Sequence, residues 1–208
     1  MGRTLEAAAV GEFGALGDRA WDVLVPARAG YLAGVSPHYD EVFDEVALRA
    51  RRSGSLGKAD IAALAVWKRL TARTRWVAEL MGLPDGLVRA VTGRAVTAVR
   101  DTAVARGEAA RAGRRVLADL PGFGTGDALA SAVLTAAAPD RMAVYDRRVQ
   151  GALDALGLTL TSAPGRYGRY LRLLDDLLRH GGARAEGWTA RDVDTALYWA
   201  GGDPPPQP

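Results

Sequence analysis

Cysteine is absent from the 208 residues of this chain, which excludes disulfide bonds, cysteine-ligated zinc and iron–sulfur clusters. The sequence also has no apolar run long enough for a membrane-spanning helix or the core of a signal peptide. A chain of this length buries a sizeable core without covalent cross-links. We therefore expect a monomeric, cytoplasmic protein of one domain or two small lobes, without a membrane partner.

Lysine is scarce as well, because only Lys58 and Lys68 occur and arginine supplies almost all of the basic charge. The formal net charge of +3 permits a polyanionic partner without requiring one. Guanidinium groups bind phosphate through two parallel hydrogen bonds. A GC-rich genome would produce the same preference for arginine, so composition by itself does not identify a nucleic-acid-binding protein.

No segment has the alternating pattern of a strand, whereas apolar residues recur at helical spacing between glycine and proline breaks. The pattern predicts an all-α fold, a compact two-lobed bundle of roughly nine short helices, over residues 1–200. A Pro-rich tail over 201–208 is expected to be disordered. The clearest helices are one opening at Ser36-Pro37, one running from Ile61 past Trp76 to Gly82, a buried one over 128–138, a striped one from Tyr167 to Leu178, and one starting at a Thr189–Asp192 capping box.

Residues 117–128 read LADLPGFGTGDA and place a Pro-Gly-Phe-Gly turn between two helical segments. Glycines let the backbone approach a ligand closely, and the second helix offers unpaired amides and the positive end of its dipole to a phosphate. Phe123 is expected to point inward and hold the two helices together. An ordinary corner between helices would also use two glycines, so the turn has a purely structural alternative.

The run from Leu120 to Gly124 resembles the helix-hairpin-helix motif of DNA repair proteins, and residues 111–157 together resemble the helix-hairpin-helix DNA glycosylase superfamily. The resemblance implies a grip on the backbone of double-stranded DNA that does not read sequence. It also implies a monovalent cation held by the hairpin carbonyls. The residues to which it assigns the DNA contact are Pro121, Gly122, Phe123, Gly124, Thr125 and Gly126.

Asp146 follows an apolar pair and precedes Val149 by three residues, which resembles the segment that carries the catalytic aspartate of that superfamily. Its spacing from Gly124 is slightly longer than in the best-known members. The resemblance implies that Asp146 stabilises the positive charge that develops on deoxyribose as the N-glycosidic bond breaks, once the base has been flipped out of the stack. The alternative is that Asp146 only caps the helix that it begins.

Members of the superfamily that also cleave the DNA strand carry a lysine at the start of the second hairpin helix. This chain has Thr125, Gly126 and Asp127 there, so imine chemistry from that position is not available. The resemblance therefore implies a monofunctional, hydrolytic glycosylase without a cofactor.

Three residues are candidates for the base pocket. Trp67 could stack on a flipped base, Lys68 could bind a phosphate or a base edge, and Tyr145 could line the pocket beside the aspartate. A core position is the alternative for Trp67, and simple packing is the alternative for Tyr145. Arg147 and Arg148 are candidates for phosphate contacts, with a solvated helix face as the alternative.

The other polar residues are assigned structural roles. Asp194 is expected to be a buried partner for an arginine. Arg166, Arg169 and Arg172 recur at three-residue spacing and are expected on the surface. His38 and His180 have no metal-ligand spacing, so no metal bound by side chains is expected.

These observations lead to three hypotheses. The first is a monofunctional DNA glycosylase of base excision repair. The second is a non-catalytic helix-hairpin-helix protein that binds DNA, and the third is a repurposed fold that binds a modified base or another small ligand. The first two differ in whether Asp146 faces an open pocket or serves only as a helix cap.

Overall fold

The computed structural model describes residues 10–70 and 75–202, and the all-α prediction is confirmed for these two segments, which contain no strand. Residues 10–70 and 75–202 form ten α-helices and one 3-10 helix. The helices are α1 (Val10–Gly34), α2 (Glu41–Ser53), α3 (Lys58–Trp67), α4 (Arg75–Gly82), α5 (Asp85–Arg100), α6 (Arg106–Leu117), α7 (Ala128–Ala137), α8 (Arg147–Ala155), α9 (Arg166–Gly181) and α10 (Ala190–Ala200), with the 3-10 helix at Gly182–Ala185.

Helix α7 is surrounded by other helices. Every residue from Leu129 to Ala137 is buried, as expected for a helix that is apolar on most sides. It packs against α2, α3, α5 and α6. The predicted buried helix over 128–138 is thus confirmed, and the hairpin that precedes α7 is anchored to the core.

Helix α10 holds the other end of the fold together, because it packs against α1, α8 and α9. Its predicted capping box is confirmed. The hydroxyl of Thr189 accepts a hydrogen bond from the amide of Asp192 at 3.2 Å, and the Asp192 carboxylate accepts one from the amide of Thr189 at 2.7 Å. The start of α10, and with it the placement of α8, is therefore fixed by local interactions.

Helix α1 is the one long element that the sequence pattern does not predict. It contains Pro26, which lacks an amide donor and disfavours a helix interior. Trp21 is fully buried and donates its indole N–H to the carbonyl of Leu177 at 2.9 Å. Arg28 pairs with Asp192 at 2.7 Å. Contacts with α9 and α10 therefore hold a helix that local preference disfavours.

The single helix predicted from Ile61 to Gly82 is wrong, because the chain forms two helices there. Helix α3 ends at Trp67, and Arg69 takes a left-handed φ of 54°, which breaks the helical path. The next helix, α4, begins at Arg75. The break leaves Lys68 at the end of a helix, where its side chain can reach another element.

Two predicted boundaries also shift. The helix expected to open at Ser36 begins at Glu41. Gly201 and Gly202, expected in the tail, form the turn that ends α10, and the amide of Gly201 donates to the carbonyl of Leu197 at 2.9 Å. The rest of the predicted tail, 203–208, lies outside the described residues.

The division into two lobes stays a prediction. The buried apolar side chains of the described residues form one continuous cluster that extends from α1 to α10. None of the described helices combines the length and the apolar character that a membrane crossing requires.

Candidate functional site

The hairpin between α6 and α7 is built on two buried side chains. Leu120 is 2% exposed and Phe123 is 0% exposed, and the amide of Phe123 donates to the carbonyl of Leu120 at 3.2 Å. Phe123 points inward, as the sequence predicts. Its side chain therefore reaches no ligand, and any contact that it makes with DNA is limited to its backbone. Pro121 is half-buried beside it.

The tip of the hairpin, residues 124–126, is exposed. Within residues 10–70 and 75–202, the amides of Gly124, Thr125 and Gly126 donate to no other backbone group. Gly126 has a φ of 70°, in the left-handed region that glycine adopts without steric cost. Exposed, unpaired amides in front of a helix form a surface suited to a phosphate.

Two arginines fasten the end of the hairpin. Arg114 donates to the Asp127 carboxylate at 3.0 Å and to the carbonyl of Gly126 at 2.8 Å. Arg166, from α9, donates to the other oxygen of Asp127 at 3.0 Å. The prediction of a surface position is therefore wrong for Arg166, which is committed to the hairpin. The monovalent cation that the resemblance implies at the hairpin carbonyls stays a prediction, and of these carbonyls that of Gly126 is already bound by the Arg114 guanidinium.

Asp146 begins α8 and uses its two carboxylate oxygens differently. Oδ1 accepts hydrogen bonds from the amides of Arg148 at 2.9 Å and Val149 at 3.0 Å, which caps the helix. Oδ2 accepts a hydrogen bond from Nζ of Lys68. Burial raises the pKa of Asp146, but Lys68 and the two amides outweigh that effect and hold the pKa below its ordinary value. Asp146 is therefore an ionised carboxylate at neutral pH.

Lys68 reaches Asp146 from the end of α3, 78 residues away in the sequence. The two side chains are 13% and 14% exposed, so the ion pair is largely shielded from water. Nζ also lies 5.2 Å from the ring centre of Tyr198 and 5.9 Å from that of Trp67, within the range of cation–π attraction. The amine that the sequence assigns to a phosphate or a base edge thus contacts the predicted catalytic carboxylate.

A cavity of about 630 Å³ is lined by the hairpin tip, the start of α7 and the start of α8. Pockets for small molecules span about 300–1,000 Å³. Tyr145 and Asp146 line this cavity, and Trp76 and Gln150 line it as well. The indole of Trp76 packs so closely on Gly122 that a Cβ there would lie 2.5 Å from the ring. The structure therefore supplies an aromatic wall that sequence reasoning missed.

Two polar groups of the cavity wall hydrogen-bond to each other. The hydroxyl of Tyr145 donates to Oε1 of Gln150. Burial raises the pKa of Tyr145 to about 12, so this hydroxyl remains protonated at neutral pH. The guanidinium of Arg166 lies 5.1 Å from the ring centre of Tyr145. No motif marks Gln150 or Arg166, because only the folding of α8 and α9 brings them to the hairpin.

Trp67 does not line this cavity. It is 8% exposed, its ring centre lies 4.9 Å from that of Phe43, and its indole N–H donates to Asp40 at 3.0 Å. It borders a separate void of about 20 Å³, which is too small for a base. The structure therefore places Trp67 in the core and does not bring it to Tyr145.

The buried polar residue behind the site is Asp194, which is 1% exposed. It pairs with Arg191 at 2.5 Å and accepts a hydrogen bond from the amide of Val144 at 3.1 Å. The prediction of a buried partner for an arginine is confirmed. Burial raises the pKa of Asp194 in spite of the charge on Arg191. Its bond to Val144 fixes the segment that leads directly to Asp146.

Exposed positive side chains surround the aspartate. Arg147 and Arg148 occupy the first turn of α8, and Arg147 lines the cavity. The guanidinium of Arg148 lies 4.9 Å from the ring centre of Tyr198, whose hydroxyl accepts a hydrogen bond from Arg69 at 2.7 Å. Tyr198 therefore contacts three cations, since Nζ of Lys68 lies against the same ring.

The described part of the chain contains no group of three or more side chains able to hold a metal ion. Comparison of the sequence and the structure with protein-family models, curated proteins and solved structures found no match. Any assignment of function therefore depends on the geometry of this site and on the sequence motif.

Proposed function

We propose that this protein is a DNA glycosylase that hydrolyses the N-glycosidic bond of a damaged or modified base in double-stranded DNA. The observation that carries the proposal is the position of Asp146, an ionised carboxylate that lines a cavity beside an exposed glycine hairpin. The resemblance of residues 111–157 to the glycosylase superfamily supports the same function.

The DNA backbone would be held by the hairpin tip and the arginines near it. The unpaired amides at residues 124–126 would donate to the oxygens of one phosphate. Arg147 lines the cavity beside the tip, and Arg69 and Arg148 contact Tyr198. Contacts of this kind go to the backbone and carry no sequence information. The protein would therefore bind duplexes of any sequence and select its target by the extruded base.

The cavity would receive the flipped base and its deoxyribose. Trp76 would offer an aromatic face for stacking, and the same wall carries the hydrogen-bonded pair of Tyr145 and Gln150. Positive charge develops at C1′ as the base leaves, and the Asp146 carboxylate stabilises it. The base leaves with the electron pair of the glycosidic bond, water adds to C1′, and the proton that the water loses passes to the released base. Lys68 holds the pKa of Asp146 low, so that the carboxylate is charged when the bond breaks.

The test is a screen of duplexes that carry uracil, oxidised, alkylated or mismatched bases, followed by alkali to reveal abasic sites. Asp146→Asn should lower excision of the active lesion by about 10²–10³-fold, the effect of losing one group that stabilises transition-state charge, while duplex binding is retained. Asp140→Asn is the matched control, because Asp140 is exposed and does not line the cavity.

Excision by Asp146→Asn at the native rate would show that another group performs the reaction. Tight duplex binding by the native protein without excision of any lesion would favour the non-catalytic DNA-binding hypothesis instead.

Duplex binding has its own test. Affinity for undamaged DNA should fall steeply as salt rises, because phosphates are being neutralised. Gly124→Pro removes a backbone donor at the tip and should weaken binding further. Gly124→Ala is the control, since the hairpin has room for its methyl group and the amide remains. Affinity that does not change with salt, or equal effects of the two substitutions, would contradict the assigned contact.

A further inference from the structure

A second cavity of about 510 Å³ adjoins the hairpin and has no role in the proposed excision. Its walls are the end of α6, the hairpin tip and the loop over 162–165 that precedes α9. Gly124, Gly126, Asp127 and Arg166 line both this cavity and the one that contains Asp146. The two cavities therefore lie side by side, with the hairpin tip in the wall between them. We call the second one the arginine groove.

The charges that line the arginine groove do not balance. Its charged residues are Arg111, Arg114, Arg115, Arg166 and Asp127, so four positive charges stand against one negative charge. The Asp127 carboxylate already pairs with two of these arginines, each at 3.0 Å. A cleft with an excess of one charge concentrates ions of the opposite charge. The groove is therefore suited to an anion.

Two of the lining arginines are available to that anion. Arg111 and Arg115 are four residues apart on α6, which places them on the same face of the helix. Within residues 10–70 and 75–202, Arg115 is exposed and forms no ion pair. Arg111 pairs with Glu108 at 2.6 Å, but both side chains are largely exposed, and such pairs contribute little stability. Little free energy is lost when Arg111 exchanges Glu108 for another anion.

The loop on the opposite wall is bound by a further arginine, Arg169. Its guanidinium donates to the carbonyls of Thr161 at 3.0 Å, Ala163 at 2.9 Å and Pro164 at 2.8 Å. These carbonyl oxygens are therefore engaged by a cation and are not left to repel an anion. Arg169 has no carboxylate partner in the described part of the chain, so it adds to the positive charge around the groove.

The groove is formed before any ligand binds. Helices α6 and α9 approach closely at Gly107 and Gly168, where a Cβ on Gly168 would lie 2.6 Å from the carbonyl oxygen of Gly107. Asp127 holds Arg114 and Arg166 in fixed positions at the hairpin end of the groove. A site that is already ordered loses less entropy when it binds.

We propose that the arginine groove binds a backbone phosphate of duplex DNA, next to the phosphate at the hairpin tip, and that Arg111 and Arg115 are its main donors. The inference rests on the proposed function, because both require DNA to lie over the hairpin. Guanidinium groups donate paired hydrogen bonds to phosphate, and contacts of this kind position the duplex without reading its sequence.

A DNA strand fits the groove better than a small ligand does. Arg111, Arg115 and residues 162–165 are exposed, so the groove is open to solvent, whereas small-molecule sites bury most of their ligand. Gly124 and Gly126 belong both to the tip and to the groove wall. A strand that places one phosphate on the tip amides therefore has its neighbouring phosphate beside the groove. A free phosphorylated molecule would use the same chemistry, and the test must separate the two sources.

The test is the salt dependence of binding to an undamaged duplex, measured with the full chain by fluorescence anisotropy. The double variant Arg111→Ala, Arg115→Ala should reduce the slope of log affinity against log salt by about 1, the effect of losing one neutralised phosphate. Arg52→Ala is the matched control, because Arg52 is an exposed arginine at the end of α2 that lines neither cavity. It should leave the slope unchanged.

Inorganic pyrophosphate is the probe for a free phosphorylated ligand. If the DNA slope is unchanged in the double variant while pyrophosphate raises the melting temperature of the native protein alone, the groove takes a small molecule and the proposal is overturned. An unchanged slope without any effect of pyrophosphate overturns it as well. An equal loss of slope in Arg52→Ala would show that only net charge matters, which also contradicts the assigned contact. Circular dichroism confirms that both variants are folded.

Failures of the two proposals are distinguishable. Excision of a lesion by the native protein, together with an unchanged slope in the double variant, overturns the groove contact alone. A reduced slope in the double variant without excision of any lesion by the native protein supports the groove contact and overturns the glycosylase assignment. Absence of binding to any duplex at low salt overturns both.

Discussion

Asp146→Ala should destabilise the fold through two separable effects. The substitution removes the acceptor for the amides of Arg148 and Val149, and loss of such a cap costs about 1 kcal/mol. It also leaves Lys68 unpaired where its side chain is 13% exposed. Breaking a fully buried ion pair costs about 3–5 kcal/mol of folding stability. Because the pair of Lys68 and Asp146 keeps some contact with water, we expect its loss to cost about 2 kcal/mol.

The predicted total of about 3 kcal/mol is a large part of the 5–15 kcal/mol that stabilises a typical domain. Asp146→Asn retains an oxygen for the cap and should recover about 1 kcal/mol of it. Lys68→Ala leaves the carboxylate bonded to the two amides and should cost less than Asp146→Ala. The double substitution should cost less than the sum of the single ones by about 1–2 kcal/mol, a coupling typical of residues in contact.

Urea denaturation followed by far-UV circular dichroism measures these differences, with Asp140→Ala as the exposed control.

The stability that Asp146 contributes should also depend on pH. The pKa of Asp146 is lowered in the folded state, so the ionised carboxylate stabilises the fold fully above the pKa of the unfolded chain, about 3.9. The effect is lost as pH falls through the folded pKa. The stability difference between the native protein and Asp146→Asn should therefore be constant around neutral pH and shrink in acid. Strictly additive single effects, or equal losses for Asn and Ala, would refute this reasoning.

Three further predictions concern the hairpin and the DNA surface. Phe123→Ala should cost about 3–5 kcal/mol, as expected for a fully buried aromatic side chain; a loss below about 1 kcal/mol in thermal or urea unfolding would contradict the inward position. Gly122→Ala should destabilise the fold more than Gly124→Ala. Gly122 has a φ of 88° and an added Cβ would lie 2.5 Å from Trp76, whereas nothing lies within 4 Å of a Cβ at Gly124. Equal melting temperatures of the two variants would contradict this packing. Arg148→Ala should reduce the slope of log affinity against log salt by about 1 if its guanidinium neutralises one phosphate, and an unchanged slope in fluorescence-anisotropy titrations would remove it from the contact.

The elements that the sequence alone predicts are those governed by neighbours within a few residues. An apolar surface on most sides identified α7, and a Thr189–Asp192 box identified the start of α10. The glycine-rich turn marked the hairpin, and the inward position of Phe123 followed from it. Periodicity, caps and turns depend on local geometry, so one sequence is enough to find them.

Local rules failed where distant contacts outweighed them. Helix α1 forms around Pro26 because Trp21 and Arg28 bind α9 and α10. The chain breaks after Trp67, where Lys68 bonds to Asp146 and Arg69 bonds to Tyr198. In both places side chains contact distant helices, and helical spacing does not encode such contacts.

The candidate site shows the same division between local and tertiary information. Motif and position in the sequence identified Asp146, and its capping bonds are local to α8. Only the fold decided that Lys68, 78 residues away, contacts its second oxygen, and that Trp76 rather than Trp67 lines the cavity. Helical spacing shows which residues share a face of one helix but not which faces of different helices meet. The chemistry of this site was therefore decided by tertiary packing, because the amine, the carboxylate and the aromatic wall lie on separate helices.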